Sequence, residues 1–201
     1  MKLFTFLSFA LLVGSSAYAA SFPQCPSAGA DTSGCEFLIT VTAVSATGAA
    51  TAFTVSASTP DQGPYDGSDD TLVGVLNSSG ATLNSLSLSS NTDIFGFDSD
   101  GICGNGYVLA ACNGVIDPSG YAPAGVTFSG INSTDTAGTV NFTGGLANGS
   151  SNFFSLEDTL TASQILPGTP ITAAPEPASL FLLGLGLSGA VASLRFRRLA
   201  K

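Results

Sequence analysis

From residue 37 onward the chain alternates: Phe37, Ile39, Val41 and Ala43 form one set, and Leu38, Thr40 and Thr42 the other. Phe53, Val55 and Ala57 alternate with Thr54 and Ser56 in the same way. A period of two is that of a strand with one buried face. Further strands are predicted over 72–77, 82–89, 94–97, 107–110, 126–131, 139–143 and 152–156, and no convincing helical stripe interrupts them. Asn-Ser-Ser-Gly at 77–80 and Thr-Gly-Gly at 143–145 supply turns between the runs. Short strands at this spacing predict an all-β fold, an antiparallel β-sandwich, with a barrel as the second architecture.

Both ends depart from that pattern. Lys2, the apolar run from Leu3 to Val13 and Ala17-Tyr18-Ala19 have the order of a secretory signal peptide, which assigns 1–19 to export and predicts cleavage before Ala20. At the other end Ala178 to Leu194 carries no charge and would reach about 25 Å as a helix, a thin transmembrane span. Arg195, Arg197, Arg198 and Lys201 follow it and act as a basic stop on the cytoplasmic side of the inner membrane, leaving the body outside. Pro175 and Pro177 flank Glu176; neither proline suits a helix interior, so the three form an extended segment that a protease could bind. The expected organisation is a signal peptide over 1–19, a β-sandwich over 20–160, a Pro-containing linker over 161–174 and a sorting tail over 175–201.

Composition narrows the chemistry. The stretch 20–174 holds thirteen Asp and Glu and no Lys, Arg or His, all five basic residues lying in the export segments. Nucleic acid is thereby excluded as a natural partner, because nothing can neutralise phosphates. Without His there is no Ser-His or Cys-His pair and no imidazole metal ligand; without Lys there is no Schiff base. Carboxylates, hydroxyls and backbone groups are what remains.

Four cysteines in an exported chain favour disulfides. Three pairings are open, of which Cys25–Cys35 and Cys103–Cys112 are preferred for their short, polar, Gly-containing loops; zinc is the weaker alternative, since the spacings are not C-x-x-C.

The acids gather in two loops, Asp61, Asp66, Asp69 and Asp70 in one and Asp93, Asp98 and Asp100 in the other. The first reading is that Asp, Gly and Ser make turns there. The alternative is a calcium site drawn from Asp66, Asp69, Asp70, Asp98 and Asp100, because hard cations take oxygen ligands, although the EF-hand spacing fails at Ile102 and Leu109. No other cofactor is expected. A carboxylate pair could run a glycosidase, but the chain has no Trp and both clusters read as loops rather than a cleft, so no enzyme is expected and no catalytic residue is assigned. Asn77, Asn132, Asn141 and Asn148 fit the N-x-S/T pattern, as chance allows in so Ser- and Thr-rich a chain.

Pro-Glu-Pro, an apolar run and a terminal arginine cluster together resemble the PEP-CTERM sorting signal of bacterial surface proteins. The resemblance implies recognition by an exosortase, a membrane-embedded transpeptidase-like enzyme that cuts near the motif. "DGSDDTLVGV" and "IFGFDSDGIC" also resemble the bodies of such proteins, to which no activity attaches. "TLVGVLNSSGATLNSLSLSS" and "AGTVNFTGGLANGSSNFFSLE" resemble strand-turn-strand pieces of immunoglobulin-like extracellular modules. The first functional reading is therefore an exported, non-enzymatic surface or matrix protein, the extracellular polymer being what the resemblance implies. Signal peptidase and exosortase would be its partners during export and extracellular polysaccharide its surroundings afterwards. It would be anchored in the membrane transiently, a permanent anchor being the alternative. A surface-presented carbohydrate- or calcium-binding module is the second functional reading.

Overall fold

The computed structural model of the chain describes residues 19–104, 107 and 109–168. Residues 1–18 of the expected signal peptide, the Pro175-Glu176-Pro177 motif, the transmembrane helix expected over 178–194 and the expected basic stop lie outside these residues. Among the described residues no helix is long and apolar enough to cross a membrane.

The fold is all-β. Among the described residues its strands are β1 (Phe37–Val44), β2 (Ala50–Ala57), β3 (Thr71–Asn77), β4 (Leu83–Ser89), β5 (Val126–Ser129), β6 (Ala137–Leu146), β7 (Ser151–Leu156) and β8 (Leu166–Pro167), with a 3-10 turn at Ala110–Cys112. They form two four-stranded sheets, ordered β2-β1-β3-β7 and β5-β6-β4-β8. Every pairing is antiparallel except β1 with β3. The parallel pair arises because the chain leaves β2, passes through 58–70 and re-enters on the far side of β1.

Alternation places the core. Phe37, Ile39 and Val41 of β1, Val73 and Val75 of β3, and Phe154 and Leu156 of β7 share one cluster with Leu83, Leu86 and Leu88 of β4 and Val140 and Phe142 of β6. Inward residues of both sheets thus meet across a common apolar layer. The immunoglobulin-like expectation is not confirmed. An immunoglobulin constant domain sets strands 1, 2, 4 and 5 against 3, 6 and 7, whereas here β1, β2, β3 and β7 share a sheet and one of its pairs is parallel.

The first sheet is also covered on its outer face. Leu72 and Phe153, one residue out of phase with Val73 and Phe154, join Cys25, Ala28, Cys35, Tyr65 and Ile102 in a second buried cluster. β3 is therefore buried on both faces, which accounts for its unbroken apolar run. Both disulfides, Cys25–Cys35 and Cys103–Cys112, form as preferred from the spacing, and no cysteine is free. Gly74 makes the close packing possible, since a Cβ there would stand 2.3 Å from Cys35 Sγ.

Two of the expected strands do not form among the described residues. Residues 94–97, Tyr107 and Leu109 lie in loops and Ala110 opens the 3-10 turn, yet Ile94 and Phe95 are buried in the main core and Tyr107 and Leu109 lean on the second cluster. Apolar loop residues closing a core carry the composition of strands without a ladder partner. The linker expectation also yields in part, because Ile165 is buried and β8 pairs with β4 through Leu88 and Ser89. At the other end, Ala20 exchanges two backbone hydrogen bonds of 2.9 Å with Thr59, so the residue expected to follow signal-peptide cleavage is already held by the fold.

Candidate metal centre

The β3–β7 ladder pairs Thr71 with Leu156. One step further along, Asp70 faces Glu157, and directly opposed residues of an antiparallel pair point their side chains to the same side. Two loops close over this end of the sheet. Ser155 ties both down: its N–H donates to the Tyr121 carbonyl at 2.8 Å, and its hydroxyl accepts the Ile102 N–H at 3.1 Å.

This brings the two acidic loops of the sequence together. Single carboxylate oxygens of Asp69, Asp70 and Glu157 lie within 4.8 Å of one another, as do those of Asp98, Asp100 and Glu157. Glu157 belongs to both groups. It is not a candidate on sequence, because Glu157-Asp158 stands far along the chain from both acidic loops and its importance comes from strand register. Asp66, a candidate, instead makes a turn: its Oδ1 accepts the N–H groups of Ser68, Asp69 and Asp70 at 3.0 to 3.2 Å. Asp93 is exposed and folds back on Gly96. Asp61 lies with Asp31 and Glu36, whose carboxyl groups feel its charge.

The buried tyrosines serve the acids as donors. Tyr65 donates its hydroxyl to Asp70 Oδ2 at 2.6 Å. The Tyr121 hydroxyl lies 2.7 Å from Asp100 Oδ1 and 3.1 Å from Asp98 Oδ1, with Glu157 Oε2 also in bonding range. One hydroxyl proton cannot serve three acceptors at once, so carboxylate oxygens crowd here with fewer donors than lone pairs. Burial pushes both phenols well above the ordinary tyrosine range, which keeps them donors.

Electrostatics follows from the crowding. Burial raises the Asp70 carboxyl to about 7, against the opposing hydrogen bond from Tyr65. Glu157 and Asp69 are raised as well, burial first and neighbouring carboxylates after it. Sharing of one proton between the neighbouring carboxyls lowers Asp98 and raises Asp100. Asp70 is fully buried, and its Oδ1 has no hydrogen-bond partner. Such an orphan costs roughly 1 to 3 kcal/mol, more if charged. Ser99, between Asp98 and Asp100, and Asp158, next to Glu157, both hold left-handed backbone, φ 83° and 73°.

Outside this centre the chain carries a recognisable address. Residues 173–198 match the PEP-CTERM protein-sorting motif, as the proline pair, apolar run and arginines indicated. No curated protein and no solved structure matches the chain. The motif implies export and sorting to the cell surface.

Proposed function

We propose that this chain is a non-enzymatic exported protein whose β-domain is held at the inner membrane by its C-terminal helix, then freed or transferred to the cell surface by an exosortase acting at Pro175-Glu176-Pro177. The observation that carries the reading is the sorting motif over 173–198, at the opposite end of the chain from the signal-peptide pattern over 1–19. Each part has a physical task. The signal peptide starts translocation, the apolar run halts it, and Arg195, Arg197, Arg198 and Lys201 resist being pulled across. Prolines on both sides of Glu176 disfavour a helix there, and an extended peptide is the form that a protease reads.

The body suits exposure outside the cell. Two disulfides staple the loops over the first sheet, a covalent support that an oxidising compartment preserves. Its carboxylates, unopposed by any basic side chain, keep it away from anionic lipid surfaces and favour solubility. The destination is the cell surface or the extracellular matrix, within exopolysaccharide.

Fractionation of cells producing the Glu176→Ala variant tests the proposal. The parent chain should appear outside the membrane fraction without its last two dozen or so residues, and the variant should remain full-length and membrane-bound. Identical fractionation and mass of the two would refute cutting at this motif.

A further inference from the structure

We propose that the end of the β3–β7 ladder is a binding site for one hard divalent cation of the calcium class, with Glu157, Asp70 and Asp69 as ligands and Asp98 and Asp100 completing its acidic wall. This inference is independent of how the tail is processed.

Geometry is the first support. Calcium binds oxygen at about 2.3 to 2.6 Å, so two ligands on opposite sides of one ion stand at most about 5 Å apart. The carboxylate oxygens of Asp69, Asp70 and Glu157 lie within 4.8 Å of one another, inside that limit. The second support is the orphaned Asp70 Oδ1, a carboxylate oxygen removed from water with no protein donor to meet it. Tyr65 satisfies only the other oxygen. A cation at the mouth of this cluster would supply the missing partner.

Charge points the same way. No Lys, Arg or His occurs between residues 19 and 168, so no side chain of the domain can offset five converging carboxylates. The two groups differ in how far the protein already satisfies them. Asp98, Asp100 and Glu157 have the Tyr121 hydroxyl between them, whereas on the Asp70 side one oxygen is left bare. The ion is therefore placed on the Asp69–Asp70 side of Glu157. Ligands come from the two residues before β3 and the residue after β7, so binding would clamp this end of the sheet and the loop that enters β3.

The test uses the full chain purified in detergent. Equilibrium dialysis against calcium, with sodium chloride held near 0.15 M, should give one saturable site per chain. The Glu157→Gln chain should lose it. Asp69 is exposed, so Asp69→Asn leaves the core intact and should still weaken binding. Asp93→Asn removes the same charge from a loop outside the site and should leave binding unchanged. Terbium provides the location: the chain has no Trp, so ultraviolet-sensitised emission must come from tyrosine, and Tyr65 and Tyr121 touch the proposed ligands. Emission should saturate at one equivalent and fall as calcium displaces terbium. The proposal is overturned if calcium uptake at that salt concentration is unsaturable. It is equally overturned if Asp93→Asn weakens binding as much as Asp69→Asn does, or if terbium gives no sensitised emission.

Discussion

Asp31 and Glu36 show how a domain without cations handles buried acids. Both are essentially inaccessible, and both oxygens of Asp31 and Oε2 of Glu36 lack hydrogen-bond partners. Burial raises Asp31 to about 7, with Asp61 adding to it. Glu36 rises to about 8 through burial first and then the charges of Asp31 and Asp61. An unfolded carboxyl titrates near 4. Between that value and about 8 the unfolded chain gives up protons that the folded chain keeps, so stability is fullest below the unfolded value and is lost as pH rises. Thermal melts at fixed ionic strength should show the melting temperature falling from pH 5 to pH 8. Asp31→Asn with Glu36→Gln should flatten much of that fall, leaving the part due to Asp70 and the other raised acids. A parent profile that is level or rising would contradict it. Neither residue drew notice in the sequence, since an acid next to Cys35 and another in a Gly-rich loop look like surface residues. Their burial follows from the loop cover that the disulfides hold down.

Strands were legible where alternation was strict. β1 and β2 follow the period-two pattern closely, and β3, β4, β5, β6 and β7 fall within a few residues of the expected runs. Reading failed where tertiary contact overrode local pattern. Ile94 and Phe95 have the apolar composition of a strand, but their burial comes from closing the core. β8 was missed because two residues ending in proline carry no period, and its pairing is set by β4. The candidate metal residues behaved likewise: Asp69, Asp70, Asp98 and Asp100 were visible as loop acids, while Glu157 needed the register of β3 on β7 to become their neighbour. Asn77 illustrates the same limit. It opens an N-x-S sequon, yet it is fully buried and its amide donates to the carbonyls of Ala81 and Leu146 at 2.7 and 2.8 Å, which makes it a structural bridge. The β8 pairing predicts where the domain ends. A chain stopped after residue 160 should be less stable than one stopped after 168 by about 1.5 to 3 kcal/mol, the value of burying one large aliphatic side chain such as Ile165. Urea denaturation of the two checks this, and equal midpoints would return 161–168 to the linker.

At the scale of the whole molecule, the chain separates its address from its body. Every basic residue lies at position 2 or at 195 and beyond, and every residue between 20 and 168 is either uncharged or acidic. The sorting tail is legible in sequence because such tails are recognised by local order of charge, apolar length and proline, with no tertiary structure required. The body does not yield its role in that way, since a β-domain of Ser, Thr and Gly can present many surfaces on the same framework. The account rests centrally on export followed by processing at both ends. Intact mass spectrometry of the protein recovered from outside its native cell tests this most directly. The mass should correspond to a chain that begins at Ala20, ends near Pro175-Glu176-Pro177 and lacks the four hydrogens lost in forming two disulfides. A mass that includes the sequence through Lys201 would contradict the account.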